Sequence, residues 1–183
     1  MKHMVSLALM TVLQLGLLAH PAAAQSVPKI AVLDIAAVQR YSLAGKSISE
    51  QFQAYGKAFQ KEAEAHQKRL RAAQNELRLQ RSLLSPEALQ ARERQFRDQV
   101  GEVQRKIQMQ RRALEKSRDD AFKTFKKNLM QVLEKLRAER KIDLIINKRV
   151  AVIYAEPHLD LTPEVLKRLD ARLKEVKLTN PGK

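Results

Sequence analysis

One short motif in the chain has the residue types of a nucleotide site. Ala44-Gly45-Lys46-Ser47 matches the end of a phosphate-binding loop, in which glycine, lysine and a hydroxyl residue hold phosphates and Mg²⁺. That loop needs another glycine five positions before Gly45, so that backbone N–H groups can approach the phosphates, and this chain has Arg40 there. The residues therefore predict no nucleotide site.

No other combination of residues predicts catalysis or a bound metal. The chain has no cysteine, which excludes thiol catalysis and cysteine metal sites. Beyond the N-terminal segment only His66 and His158 remain, too far apart in the expected architecture to form a metal pair. No nucleophile, base and orienting acid occur at a spacing that would assemble them. We therefore expect neither an enzyme nor a cofactor.

Residues 1–24 have the pattern of a secretory signal peptide. Lys2 supplies the positive start, Met4 to Leu18 form a mostly apolar stretch, and Ala22-Ala23-Ala24 provide a small-residue cleavage site. A transmembrane helix is the alternative, but it needs about 18 or more apolar residues and this run is shorter. We expect an exported, soluble mature chain that begins near Gln25, and the absence of cysteine suits an oxidising compartment.

The chain is strongly basic. Its formal net charge is +15, and +14 remains once Lys2 is removed with the signal peptide. Such a field attracts anionic partners, whether acidic proteins, nucleic acid or lipid head groups. The composition is also poor in Gly and Pro and rich in good helix formers, which favours long helices over one globular core.

The middle of the chain, residues 45–140, carries hydrophobic positions at steps of three and four, the spacing of a coiled-coil seam. Before the break at residues 84–87 the seam holds Ile48, Phe52, Tyr55, Phe59, Ala63, His66, Leu70, Ala73, Leu77 and Leu84. After it the seam holds Leu89, Phe96, Val100, Val103, Ile107, Leu114, Ala121, Phe125, Leu129, Val132 and Leu136. This period excludes strands and predicts two long helices.

The break has the residues of a helix restart. Ser85 suits an N-cap, Pro86 suits the first helical position, and Leu84 and Leu89 occupy the two positions of a hydrophobic staple. We predict an antiparallel helical hairpin, an arm over residues 45–140 with its tip near 84–87. One kinked helix, whose two seams would need separate partners, is the alternative.

Short β-like segments occur at both ends of the chain. Residues 29–33, 143–147 and 150–154 are predicted strands, the last two joined by a hairpin at Lys148-Arg149, while Asp34 and Thr162 are predicted to cap short helices. Three strands of about five residues are marginal as an isolated sheet, so we expect residues 25–44 and 141–183 to form a β-rich core shared between copies. The candidates for this oligomer core are Ile30, Val32, Leu33, Leu144, Ile146, Val150, Val152 and Tyr154.

The predicted fold is therefore mainly α with a small β core, in which a long antiparallel coiled-coil hairpin projects from a β-barrel-like core assembled by oligomerisation. Four segments in this order carry a resemblance: residues 29–34 (KIAVLD), 44–46 (AGK), 143–154 (DLIINKRVAVIY) and 159–169 (LDLTPEVLKRL). With them the chain resembles the Skp (OmpH) family of periplasmic chaperones for outer-membrane proteins. Family members often carry a glycine just before the second strand, where this chain has Arg140-Lys141-Ile142.

The resemblance implies a homotrimer with a small β-barrel core and three helical hairpins around a cavity. It also implies a periplasmic, ATP-independent holdase that binds unfolded outer-membrane β-barrel proteins and prevents their aggregation before membrane insertion. Such clients expose strands of alternating apolarity that aggregate in water. The alternative is a basic coiled-coil protein that binds anionic envelope lipid or nucleic acid without chaperone activity, although export and the lack of base-stacking aromatics argue against nucleic acid.

Two sets of arm residues are candidates for contact with such partners. Leu79, Met109, Phe122 and Met130 are apolar but lie off the seam, so they are free to bind a client or to pack on neighbouring helices, and for Phe122 and Met130 we favour packing. Arg78, Arg81, Arg92, Arg94 and Arg97 cluster around the tip, where they could meet acidic clients, anionic lipid or lipopolysaccharide, or could be an ordinary solvated face. Gly56 and Gly101, inside the helices, are either hinges or points of close packing.

Overall fold

The computed structural model describes residues 27–179, and most of them are helical. Strand β1 (Ile30–Leu33) is followed by helices α1 (Ile35–Tyr41), α2 (Leu43–Gln80) and α3 (Pro86–Arg140). Strand β2 (Leu144–Asn147), helix α4 (Lys148–Ala151), a 3₁₀ turn (Pro157–Leu159) and helix α5 (Thr162–Arg172) complete the chain. The predicted signal peptide of residues 1–24 lies outside the described residues. Within residues 27–179 no helix has both the length and the apolarity that crossing a membrane requires.

Helices α2 and α3 form the arm and run antiparallel. The Ser85 side chain accepts a hydrogen bond from the Ala88 N–H, as expected of an N-cap, and Pro86 is the first residue of α3. Across the arm, Glu62 of α2 contacts Lys106 and Gln110 of α3, while the Arg118 guanidinium of α3 lies over the Phe52 ring of α2. These cross-contacts confirm the hairpin and exclude the single kinked helix.

Burial along the seam changes from one end of the arm to the other. Near the body, the α3 seam residues Leu114, Ala121, Phe125, Leu129 and Leu136 are buried, and so is Ile48 of α2. Toward the tip the seam residues are only half-buried. The difference follows from the number of elements that meet, because the tip consists of two helices whereas α1 and α5 also cover the base.

The body is built on a parallel pair of strands from the two ends of the chain. Ile30 pairs with Leu144 and Leu33 with Asn147, and the whole hairpin lies between them in sequence. Ala31, Val32 and Leu33 are all buried, and Ala31 and Leu33 belong to a core that also contains Val165 and Leu169 of α5. The predicted first and second strands are therefore confirmed.

At the joint between α3 and β2, Lys141 occupies the position where family members often carry a glycine. Lys141 adopts a left-handed conformation, with φ of 55° and ψ of 48°, and the Ile142 N–H donates to the Arg137 carbonyl. This is the geometry of a Schellman helix end, in which glycine is the usual residue because it has no Cβ. In Lys141 the Cβ makes this left-handed conformation less favourable than it would be for glycine. The next residue, Ile142, is buried.

The predicted third strand is wrong. Residues 148–151 form the short helix α4, which Asn147 caps through a hydrogen bond from the Arg149 N–H, and no hairpin forms at Lys148-Arg149. Val150 is 82% exposed and Tyr154 76% exposed. An alternating pattern stabilises a strand only where one face can be buried against a neighbour, and the described part of this chain offers residues 150–154 none.

Thr162 also has a different role from the one predicted. It is the first residue of α5, and its hydroxyl accepts a hydrogen bond from the Asp34 N–H at 2.9 Å, while Asp160 accepts one from the Thr162 N–H. Lys148 and Arg149 join the same network, to Asp160 at 2.6 Å and Asp34 at 3.2 Å. The pair predicted as a turn thus ties the ends of β1 and α5 together.

These contacts shift the pKa of both carboxyl groups downward. Hydrogen bonding from the Ala37 N–H lowers the pKa of Asp34, despite some desolvation, and Arg149 lowers it further. Burial raises the pKa of Asp160, but hydrogen bonds from Lys148 and Thr162 outweigh it, so the net shift is also downward. Both groups are therefore held in their charged forms where the body elements meet.

Gly45 is required by close packing between α1 and α2. A Cβ added at Gly45 would lie 1.8 Å from the Gln39 carbonyl oxygen, which belongs to the backbone of α1 and cannot move aside cheaply. No such contact exists at Gly56, where a Cβ would meet nothing within 4 Å, and at Gly101 it would meet only the end of Arg105 at 3.5 Å. Close packing therefore explains Gly45 but not Gly56.

Gly45→Ala should destabilise the protein, and Gly56→Ala should not. Overpacking against backbone costs about 1–3 kcal/mol or more, whereas removing a glycine from a helix interior gains up to about 1 kcal/mol. Thermal unfolding followed by circular dichroism measures both. A Gly45→Ala protein as stable as the parent would show that the helices do not approach so closely.

Glu62 is the most strongly perturbed acid of the arm. Its carboxylate lies 2.6 Å from the Lys106 ammonium and accepts a hydrogen bond from Gln110 at 2.9 Å. These two hydrogen bonds, from Lys106 first, lower the pKa of Glu62 from 4.5 to about 2. Because the folded pKa lies below the unfolded one, this stabilisation is complete above about pH 4.5 and is lost as the pH falls toward 2.

Glu62→Gln should therefore destabilise the arm at neutral pH and have progressively less effect in acid. Since the group is partly solvent-exposed, the cost should be about 0.5 kcal/mol, as for other partly exposed ion pairs. Urea unfolding at several pH values measures the difference, and Glu64→Gln, which alters an exposed carboxylate bonded only to Gln60, is the control. A Glu62→Gln effect that does not shrink between about pH 4.5 and 2 would contradict the ion pair.

Candidate functional site

The surface of the arm still carries apolar side chains after its seam is packed. Leu79 is 72% exposed, Met109 63% and Met130 47%. Leu and Met at such positions present flexible apolar surface, and Met in particular adapts to irregular partners. The candidate client-contact residues Leu79 and Met109 are therefore accessible on the arm. Met130, for which we favoured packing on neighbouring helices, is exposed as well, so that expectation is not met within the single chain.

Phe122 has a different environment. It is half-buried against the core and meets Phe125 edge to face, with ring centroids 6.3 Å apart and an interplanar angle of 81°. The Arg118 guanidinium lies 4.6 Å from the Phe52 centroid and 5.7 Å from that of Phe122, within cation–π range of both. The structure thus places Phe122 in the packing at the base of the arm, apart from the three exposed residues.

At the tip of the arm, the sequence did not predict that Leu83 would be exposed. Leu83 is 83% exposed and lies in the turn between α2 and α3. Its position next to Leu84 obscured it, since Leu84 is the staple residue and only half-buried. The signal available in the sequence was that only one of two adjacent leucines can face the seam.

All five arginines predicted at the tip are exposed: Arg78, Arg81, Arg92, Arg94 and Arg97. Within residues 27–179, none of their guanidinium groups lies within 4.0 Å of a carboxylate. Arg92 and Arg94 make only long hydrogen bonds to Gln95 and Gln90, of 3.4 and 3.5 Å. Their donors are therefore available to an anionic partner.

The tip also contains a small cavity between the two helices. Its volume is about 160 Å³, and Leu77, Phe96 and Arg92 are among the residues that line it. It is too small for a drug-sized ligand, since pockets for such ligands measure roughly 300–1,000 Å³. The described residues also contain no group of three or more His, Cys, Asp or Glu side chains that could hold a metal ion. Two larger depressions on the arm, of about 460 Å³ beside Pro86 and about 430 Å³ beside Met109, are open to solvent.

The structure divides the residues predicted to form an oligomer core. Val32 and Leu33 are buried within the single chain, and Ile146 and Val152 are half-buried. The other members of the set remain exposed on the body: Ile30 (40%), Leu144 (50%), Val150 and Tyr154. Ile153, which was not predicted, is also fully exposed. Ile30 and Leu144 are neighbours in the sheet, and large apolar side chains left exposed in this way are candidates for a protein interaction surface.

Comparisons with known proteins agree on one family. Residues 29–169 match the family described as outer membrane protein (OmpH-like). A protein of Caulobacter crescentus CB15, described as an OmpH-like outer membrane chaperone, has a similar structure with a TM-score of 0.76 at 20% sequence identity, covering 84% of this chain and 90% of its own. At that identity the likeness shows a shared fold. No curated protein sequence matches the chain. Because the family match spans most of the chain, the chain belongs to the OmpH-like outer membrane protein family, the Skp family of chaperones.

Proposed function

We propose that this protein is an ATP-independent periplasmic holdase, which binds unfolded outer-membrane β-barrel proteins and keeps them from aggregating before they insert. Its family is non-enzymatic, which confirms the expectation that the chain is not an enzyme. The observation that carries the proposal is the set of exposed Leu and Met side chains on a long arm. The seam residues of that arm are themselves buried or half-buried between its two helices. Apolar surface left free on a stiff scaffold is what an unfolded, aggregation-prone client needs.

We further propose that several copies, three by resemblance to the family, associate through the body. The exposed Ile30, Leu144, Val150 and Tyr154 support this, because they would be costly to leave in water. Association places several arms around one client. Several weak contacts then hold it by multivalency without a deep pocket. Release follows when the client folds in the membrane, where its own apolar face is buried.

The direct test is aggregation of an outer-membrane β-barrel protein diluted from urea, with and without residues 25–183 of this chain. A holdase should delay the rise in light scattering and co-elute with the barrel protein as a soluble complex, with no nucleotide present. If the chain binds anionic vesicles but neither delays aggregation nor co-elutes, it is a lipid-binding coiled coil and the holdase proposal is wrong.

Replacing two of the exposed apolar residues should weaken client binding. Leu79→Asn with Met109→Gln removes apolar contact worth on the order of 1.4 kcal/mol, which corresponds to about tenfold in affinity. Titration of a labelled, unfolded barrel protein measures the change. Asn75→Ala with Gln108→Ala, at neighbouring exposed positions, is the matched control. Equal affinities for both double variants would exclude Leu79 and Met109 from the binding surface.

Removing charge from the tip should reduce capture of acidic clients. Arg94→Gln with Arg97→Gln deletes two guanidinium groups that have no carboxylate partner among residues 27–179, so the affinity for an acidic client should fall and depend less on salt. Lys126→Gln with Lys127→Gln removes the same charge from exposed positions near the body and should have less effect. If both pairs change the salt dependence equally, net charge and not the tip governs capture.

A further inference from the structure

The chain beyond α5 lies against the base of the arm as an extended segment. Along residues 175–179, exposed and buried residues alternate: Val176 is 7% exposed and Leu178 5%, while Glu175, Lys177 and Thr179 point to solvent. Both buried residues belong to the same core cluster as Ile48 of α2. This segment, residues 174–179, has the burial pattern of a strand although it belongs to no sheet.

Gln51 of α2 holds the backbone of this C-terminal segment. Its side-chain N–H donates to the Val176 carbonyl at 2.9 Å, and its side-chain oxygen accepts from the Leu178 N–H at 3.0 Å. The carbonyl of one residue and the N–H two residues later are the groups that a single residue of a parallel neighbouring strand would bond. The Gln51 amide therefore replaces one residue of a partner strand.

The orientation of that amide is also supported. The Gln51 Nε2 donates to the Ser47 hydroxyl at 2.8 Å, one helical turn before it on α2. The Gln51 side chain is thus held in position on α2. It bonds a backbone carbonyl and a backbone N–H, groups that do not depend on the side chain of the bound residue, except that proline lacks the N–H. Specificity then comes from the two apolar side chains that alternate with polar ones.

These features describe a site for an amphipathic strand. An outer-membrane β-strand has apolar side chains on one face and polar side chains on the other, with the period of two that Val176 and Leu178 show. Binding of an extended peptide through its backbone, with pockets for alternate side chains, is an established recognition mode. The C-terminal segment thus has the chemistry of a client strand.

We propose that the site around Gln51 at the base of α2 is a strand-binding site, which the chain's own residues 174–179 occupy in the free protein and which an extended amphipathic segment of a client takes over. The inference rests on the proposed holdase function and specifies one place where the client binds. The own segment acts as a tethered competitor, whose effective concentration is on the order of 1 mM. Only clients that present many such strands displace it.

The test empties the site in two ways, by substitution in the full chain and by truncation. Val176→Asp with Leu178→Asp places two carboxylates where the apolar side chains were, and a chain that ends at Leu173 removes the segment altogether. The probe is a fluorescein-labelled peptide of residues 173–179. Both emptied proteins should bind it roughly tenfold tighter than the parent, because the tethered competitor is gone. Lys177→Gln, on the exposed face of the segment, is the matched control and should bind the probe as weakly as the parent.

Two further measurements examine the recognition itself. Gln51→Leu in an emptied protein should abolish most of the gain, because both backbone hydrogen bonds are lost. A peptide of the same composition, with the residues at 177 and 178 exchanged, should bind weakly because its apolar side chains no longer alternate. Unlabelled barrel protein diluted from urea should displace the probe.

Several results would overturn the proposal. They are emptied proteins that bind the probe no tighter than the parent, equal binding of the exchanged peptide, or a probe that unfolded barrel protein does not displace. If both emptied proteins lose their cooperative thermal transition, the segment is an obligatory part of the core and the proposal is also wrong.

Aggregation assays distinguish the strand-binding site from the holdase function. If the parent protein delays aggregation of the barrel protein but the emptied proteins bind no probe, the protein is a holdase without this site. An emptied protein that binds the probe while no version delays aggregation has the strand site and is not a holdase.

Discussion

The parallel pairing of β1 with β2 is the contact on which the other contacts of the body depend. It joins Ile30 to Leu144 and closes a loop that contains the entire hairpin, so its conformational entropy cost must be offset by what it buries. Ala31, Val32 and Leu33 are buried in the folded body, and Ala31 and Leu33 share a core with Val165 and Leu169 of α5. The pairing also fixes where the arm begins and ends, since Lys29 bonds to Asp143 and to the Arg140 carbonyl at the end of α3.

Apolar side chains are buried less completely on the arm than in the body, and this difference accounts for the exposed apolar surface of the arm. A two-helix arm can bury one stripe per helix, so Leu79, Leu83 and Met109 remain largely exposed in the described part of the chain. At the base, α1 and α5 add more surface, and Phe122 and Phe125 pack there. The exposed apolar and cationic groups of the arm therefore lie on α2, α3 and the turn between them, and these are the groups on which the proposed holdase function rests.

Features that depend on neighbouring residues were predictable. The 3.5-residue period, the Ser85-Pro86 restart, the Asp34 cap and the first two strands all follow from local preferences, and the structure confirms them. Residues 150–154 were mispredicted because their alternation is a local property, whereas a strand needs an edge to pair with. Thr162 was misplaced by one position, because Asp160 performs the local capping and leaves the Thr162 hydroxyl free for Asp34. For the candidate site, the sequence identified off-seam residues, but burial separated Phe122 from Leu79 and Met109.

The amino-acid sequence by itself determined a basic helical hairpin with a defined tip and two short strands, because helical period, capping and proline geometry act over a few residues. Only the tertiary structure decided which ends pair, that Gly45 allows α1 to approach α2, and that Gln51 holds residues 174–179. Each of the two pairings joins residues more than a hundred positions apart, where local preference carries no information. The requirement for glycine at position 45 becomes clear only in the folded chain, where the Gln39 carbonyl oxygen occupies the space that a Cβ would need.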